Sequence, residues 1–301
     1  MSNTRDIKRR IKSINNTKKI TKAMELVSAA KMRKAVAQVV VSRQYALKTW
    51  QIIQSISNSN VSYQHPLLKQ HPNVKRVAVL AISSNRGLCG GFNTSLVRLA
   101  HQAAQNFTKD NIKYEFITFG KVAAEEIKKL HHPIVANFDK PDLMQNIVTI
   151  DPITKILLEG FVTKKYQQIK LLYTDYQSSM RQIPVIKTLL PLSTSIDQDL
   201  GDVGQSPENS PTENIFFEYK FEPSPAKVLD QILPRILELQ IYQACLESDA
   251  SEHSARMMAM RNAYNAASDV IDELSLAYNK ARQTAITQEI AEIVGRQLHL
   301  T

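Results

Sequence analysis

Three glycines, Gly87, Gly90 and Gly91, follow closely on the apolar run Val77 to Ile82 in the stretch SSNRGLCGGFN. A buried strand opening into a glycine-rich turn and then a helix is an arrangement that holds phosphate, because backbone N–H groups there can reach an anion. The spacing argues against a nucleotide. A dinucleotide turn needs G-x-G-x-x-G and a P-loop needs G-x-x-x-x-G-K-[ST], whereas Gly90 and Gly91 run into Phe92 and Asn93. No lysine follows to reach a phosphate, and Glu115 is the only acidic residue on the second strand, Lys113 to Phe119, where a ribose ligand belongs. The expectation is a tight strand-to-helix turn, with Asn93 or Thr94 capping the helix and no bound nucleotide or other cofactor.

The remaining reactive side chains lack the spacing that chemistry demands. Asp197, Asp199 and Glu208 match positions 1, 3 and 12 of a calcium loop, but Gly201 and Asp202 stand where an oxygen ligand and the turn glycine belong. The pair His131 and His132 has no H-E-x-x-H or second cluster beside it, and no G-x-S-x-G elbow occurs. Cys89 and Cys245, the only cysteines, are far apart and read as reduced thiols. No catalytic residue and no metal site is expected.

The charge is uneven. Of the formal +10, residues 1 to 50 carry thirteen Lys/Arg against Asp6 and Glu25. A basic helix continuing into a coiled coil resembles a nucleic-acid reader of the basic-zipper kind. Ile7, Ile11, Ile14, Ile20, Met24 and Val27 cross the charged zone as an apolar stripe, which needs a protein partner, so a solvated outer face is the preferred reading. Asp6 and the long continuation of the helical pattern argue against an organelle presequence, and the N-terminus lacks the apolar core of a secretory signal. No run of about 18 apolar residues occurs.

Two long helices must carry these residues. Asn3 to Ser57 contains neither Pro nor Gly, and its apolar spacing, continued by Val36, Val40, Leu47 and Trp50, predicts one helix of roughly 80 Å at ~1.5 Å per residue. After Pro223 and Pro225 a second runs from Ala226 to about Val294, with a bend expected at Pro234. Met260, Ala267, Leu274 and Ala281 repeat every seven residues, flanked by Ala263/Tyr264, Val270/Ile271, Ala277/Tyr278 and Thr284/Ala285, the seam of a left-handed coiled coil. The two ends are each other's natural partner, packed antiparallel; a homodimeric coiled coil is the alternative. Between them strands and helices alternate: Val77 to Ile82, helix Asn93 to Phe107, Lys113 to Phe119, helix Val122 to Leu130, an apolar piece at Pro133 to Phe138, helix Pro152 to Tyr166, then Ile169 to Tyr173 and Gln182 to Leu189. The fold class is therefore α/β plus coiled coil, with a central open, mostly parallel, Rossmann-like α/β domain. The divisions are residues 1–60, an N-terminal shaft helix; 74–192, the α/β foot; 193–222, an acidic loop, expected to be mobile, and a last strand (Ile215 to Phe221); and 223–301, a C-terminal shaft helix. Met257, Met258 and Met260 among Arg256 and Arg261 point in more directions than one partner helix covers, so the rod is expected to touch something beyond itself.

NTKKITKAMELVSAAKMRK (16–34), RGLCGGFN (86–93), SEHSARMMAMRNA (251–263) and YNKARQTAITQEIAEIVG (278–295) closely resemble the γ subunit of F-type ATP synthase. The resemblance spans essentially the whole chain. It implies a non-catalytic rotor whose terminal helices turn inside a ring of α and β subunits, with its foot against ε and the membrane c ring. It implies contacts with the α/β ring at Met24, Arg256, Arg282, Gln283, Thr287, Gln288 and Glu289, and an apolar tip of Ile290, Ile293, Val294 and Leu298. Phe221 and Glu222 are implied near the c ring and ε. It implies a peripheral place on the cytoplasmic face of a bacterial inner membrane, or the matrix or stromal side in an organelle. Redox control through an inserted cysteine pair, as in photosynthetic relatives, has no support, since 194–214 contains no cysteine. The readings as a nucleic-acid-binding coiled coil or a nucleotide-binding α/β enzyme are the alternatives.

Overall fold

The computed structural model describes residues 4–58, 65–192 and 225–298, with side chains described outside 43–58, 225–226 and 292–298. The chain divides into two compact units, Ala29–Arg256 and the terminal pair Met1–Ser28 with Met257–Thr301. Two helices contribute to both: α1, Thr4–Asn58, and α5, Pro225–Leu298, which runs unbroken through Pro234.

The larger unit holds a five-stranded sheet. Its strands are β1 (Arg76–Ile82), β2 (Lys113–Phe119), β3 (Ile134–Phe138), β4 (Gln168–Tyr176) and β5 (Gln182–Leu190), in the order β3-β2-β1-β4-β5. The first four are parallel and β5 runs antiparallel to β4. β1 is apolar on both faces because both are covered, as the centre of a parallel sheet requires. Val77, Val79 and Ala81 meet Leu96, Ala100, Ala104 and Phe107 of α2 (Phe92–Lys109) and Ala123 and Ile127 of α3 (Lys121–Lys129). Ala78, Leu80 and Ile82 face α4 (Asp151–Val162) through Ile153, Leu157 and Phe161, together with Leu229, Leu233, Leu237 and Ile241 of α5. The first part of α5 thus covers the second face of the sheet.

Expected and observed elements agree within a few residues, with one informative exception. α4 stops at Val162 instead of reaching Tyr166, because Lys164 turns left-handed (φ 60°) and the Tyr166 N–H returns to the Gly160 carbonyl at 3.0 Å. Gly160 has no Cβ because the Tyr166 ring lies where one would go, at 2.7 Å.

In the terminal unit, α1 and α5 pair along a seven-residue repeat. The α5 seam is the expected one, Met260 and Ala267 buried and Leu274 and Ala281 half-buried, but only one side of it is flanked, by Tyr264, Ile271, Tyr278 and Ala285, while Val270, Ala277 and Thr284 are exposed. The α1 seam is not. Ile7, Ile11 and Ile14 turn inward as expected, but the line continues through Lys18, Thr21, Glu25 and Ser28, while Ile20, Leu26 and Val27 are more than half exposed. The stripe drawn through the largest apolar residues drifts off the repeat after Ile14; an alanine-rich partner brings the backbones close and selects small residues at Thr21 and Ser28. The ammonium groups of Lys18 and Lys22 lie 5.0 and 5.2 Å from the Tyr264 ring centre. In the larger unit Ala35 of α1 clusters with Ala250 of α5.

Candidate functional site

In an open α/β sheet, ligands bind beyond the carboxyl ends of the strands where the order reverses, here beside β1. The turn at that place is built for another purpose. Leu88 (φ 63°) and Gly90 (φ 56°) bend it sharply, and α2 begins after Gly91 with no side-chain cap. Asn93, expected as the cap, is buried and folds back: its amide donates to Ser84 Oγ at 2.7 Å and to Cys89 Sγ at 3.1 Å, and its Oδ1 accepts from the Ser84 N–H at 3.3 Å. The Arg256 guanidinium of α5 donates to the carbonyls of Arg86 and Gly87, each at 3.3 Å. A phosphate cradle offers N–H groups to an anion; this turn offers carbonyls to a cation of its own chain.

Arg256 belongs to a buried ionic lattice that joins α5 to the ends of β1 and β3. Its guanidinium donates to Glu252 Oε1 at 2.8 Å; the other oxygen of Glu252 is 3.2 Å from Lys140 Nζ, and Lys140 also pairs closely with Asp249. Asp249 Oδ2 accepts from the Met144 N–H at 2.7 Å, and His253 Nε2 donates to the Asp142 carbonyl at 2.9 Å. The side chains of Lys140 and Asp249 are 1% and 0% exposed, so only each other, Glu252 and the Met144 N–H compensate their lost hydration. Burial works against the charge of Lys140, yet the Asp249 and Glu252 carboxylates outweigh it and hold its pKa above the ordinary lysine value. Glu252 is held below its usual range, because Lys140 and Arg256 outweigh its own burial. Burial pushes the Asp249 carboxyl up, against the pull of Lys140 and the Met144 N–H.

Asp142, Glu252 and His253 bring one ligand atom each within 4.8 Å of one another, the geometry of a metal cluster. Their chemistry does not fit a metal. Asp142 is already paired with Lys31 and Arg86, Glu252 with Lys140 and Arg256, and His253 with a carbonyl.

The implied partner contacts with described side chains fall into three groups. Arg282, Gln283, Thr287, Gln288 and Glu289 are exposed on α5, with Ile286 and Ile290 exposed among them. Met24 is half-buried beside the exposed Ile20, Leu26 and Val27. Arg256 departs from the expectation of an outward residue: it is 6% exposed and its guanidinium is committed inside the larger unit. The cause is the buried partners Glu252 and the Arg86 turn, which a list of methionines and arginines does not reveal. The side chains of Ile293, Val294 and Leu298, the residues Phe221 and Glu222, and the loop and strand expected in 193–222 lie outside the described residues. Sequence reasoning missed Lys140, Asp249 and Glu252 altogether. The available signal was the density of Asp, Glu and His among the small residues of ESDASEHSAR, a composition odd for a helix that must cover a sheet.

The ATP synthase family model matches residues 3–296. The ATP synthase gamma chain of Coxiella burnetii is 38% identical over 296 residues, covering 98% of both chains. That of Herpetosiphon aurantiacus is 40% identical over 306 residues, again covering 98% of each. In fold, the chain is similar to chains in the mitochondrial ATP synthase of Euglena gracilis. One, from its OSCP/F1/c-ring structure, has a TM-score of 0.67 at 19% identity over 99% of this chain and 94% of that one; one from its rotor has a TM-score of 0.63, also at 19% identity, over 94% and 98%. With two terminal helices paired along a seven-residue repeat, a mostly parallel sheet whose glycine turn is held by Arg256 of its own C-terminal helix, and relatives aligned from end to end, the chain belongs to the ATP synthase gamma-chain family.

Proposed function

We propose that this chain is the rotary central stalk of an F-type ATP synthase, a non-catalytic subunit that couples ion flow through a membrane c ring to ATP synthesis and hydrolysis on the β subunits. The observation that carries the reading is α5, one helix of 74 residues fastened into the α/β unit by buried charges and exposing Arg282, Gln283, Thr287, Gln288 and Glu289 farther along. Residues 1–60 and 223–301 form the shaft in this reading, and 74–192 with 193–222 the foot. Met24, the exposed α5 residues, Ile293 and Val294 face the α and β subunits. Phe221 and Glu222 face ε and the c ring. Each shaft angle favours a different β conformation by differential contact, which is what coupling between separate sites requires. Among the described residues no helix is long and apolar enough to cross a membrane, so the attachment proposed is peripheral, on the cytoplasmic face of a bacterial inner membrane. The relatives, ATP synthase gamma chains, do not favour the nucleic-acid and nucleotide-enzyme readings.

The test is a reversible tie. A Gln288→Cys variant joined by a disulfide to a cysteine on the facing β residue is expected to stop ATP hydrolysis by the assembled complex, and reduction to restore it. Cys89 and Cys245 are both buried and do not compete for the bond. Hydrolysis at the untied rate in the oxidised complex means that this stretch need not move against β, and the rotary reading of the upper shaft is lost.

A further inference from the structure

We propose that torque passes between the α/β unit and the terminal helices through the Asp249–Arg256 stretch of α5, and that Lys140 is the positioning residue that keys α5 in place. The inference rests on the rotary reading above and adds where the load is carried. Between Asp249 and Arg256, α5 is tied on two sides. Asp249, Glu252, His253 and Arg256 fall on one face, since ~100° per residue brings positions three, four and seven apart close together, and they hold Lys140, the Met144 N–H, the Asp142 carbonyl and the Arg86 turn. Ser251 and Ser254 fall on the opposite face. Ser251 Oγ donates to the Thr174 carbonyl at 3.2 Å, and Ser254 Oγ to the Ser179 carbonyl at 2.7 Å. These anchors lie past or at the carboxyl ends of β1, β3 and β4.

A helix held by directional bonds on opposite faces resists both rolling and sliding. Apolar packing resists these motions less, because it is non-directional and side chains can exchange neighbours at similar burial. Buried charges resist them most, since any displacement that parts Lys140 from Asp249 and Glu252 leaves charge without water or partner. The described side chains of α1 in this unit, Ala29 to Ser42, offer a different hold. Ala35 and Val39 pack in apolar clusters, and the ionic contact, Lys31 to Asp142, is about one-third exposed on both sides. Such a pair is screened by water and adds little rigidity.

The experiment uses the assembled α/β/gamma complex, held by its β subunits, with a bead on the foot. The angular spread of the bead in a stalled state measures the compliance between foot and ring. Lys140→Met is expected to widen the variance about twofold while unloaded ATP hydrolysis stays at the wild-type rate. Asp249→Asn, which keeps the shape and the Met144 contact, is expected to widen it less. Lys31→Met is expected to leave it unchanged. Should Lys140→Met not assemble, Asp249→Asn and Ser254→Ala decide the matter. Wild-type compliance in the variants that assemble, or equal softening by Lys31→Met, overturns the proposal. A wild-type bead that does not turn on adding ATP overturns the rotary reading itself, a result distinct from a rotor whose stiffness ignores Lys140.

Discussion

Two stretches of the same helix live under opposite rules. From Gln243 to Ser254 every residue of α5 is buried, the charged ones included; from Arg261 to Ile290 only Ala267 is, and polar side chains face water. The first stretch is enclosed on all sides within the larger unit, so its polar groups depend on internal partners, and Gln243 Oε1 and Ser248 Oγ are left without a hydrogen bond. The second belongs to the terminal unit and contributes one narrow seam to a single partner helix, so most of its circumference is left to solvent or to another molecule. A helix gains a grip by surrendering its surface, and keeps a working surface by packing along one line.

The largest effect expected from breaking this contrast is at Lys140. Lys140→Met leaves Asp249 and Glu252 buried beside no lysine, and should cost about 3–5 kcal/mol in chemical unfolding of the isolated subunit. A loss below about 1 kcal/mol would show that water enters the stretch and that it is not sealed.

Glu247 gives the next effect, and it depends on pH. Burial, with the nearby Asp175 adding to it, pushes its carboxyl up to about 7 from an ordinary 4.5; Gln243 donates to its Oε1 at 3.1 Å and works the other way. The folded protein therefore keeps a proton that the unfolded chain releases. This contribution is complete below about pH 4.5 and is lost as pH rises through 7. Glu247→Gln should remove that slope in melting curves taken between these values, and at pH 8 stabilise the protein by about 3 kcal/mol at most. A variant whose slope equals that of the wild type would assign the titration to another group.

The seam should answer to size and not to charge. Ala267→Leu adds bulk where the two helices approach closely, and is expected to cost about 1–3 kcal/mol, read by thermal unfolding. An unchanged melting point would mean that the seam is looser than its buried alanine implies. The smallest effect is expected at Lys31, whose contact with Asp142 is partly exposed: Lys31→Met should change stability by less than about 1 kcal/mol, and raised salt should mimic it.

Legibility in the sequence followed the range of the interaction. β2 falls at the expected Lys113–Phe119, and the repeat Met260, Ala267, Leu274, Ala281 lies in the seam, because alternation and heptads are signals carried by neighbours along the chain. The missed features join distant residues or invert a local preference. Asn93 is a good capping residue by type, but Ser84 and Cys89 claim its amide. Ile20 and Val27 are good seam residues by type, but the partner's alanines select Thr21 and Ser28.

By itself the sequence determined the class of the fold, the two long helices, the strand and helix alternation between them, and a glycine turn with the wrong spacing for nucleotide. Each follows from periodicity, from the absence of breakers, or from what a backbone can do at a given residue. Only the tertiary structure decided that Arg256 points inward, that Lys140 meets Asp249 and Glu252 more than a hundred residues away, and which line of α1 forms the seam. The reason is that a charged side chain is stable in the interior only where its partners already stand, and their positions are set by the packing of the whole sheet and helix assembly, which no local pattern encodes.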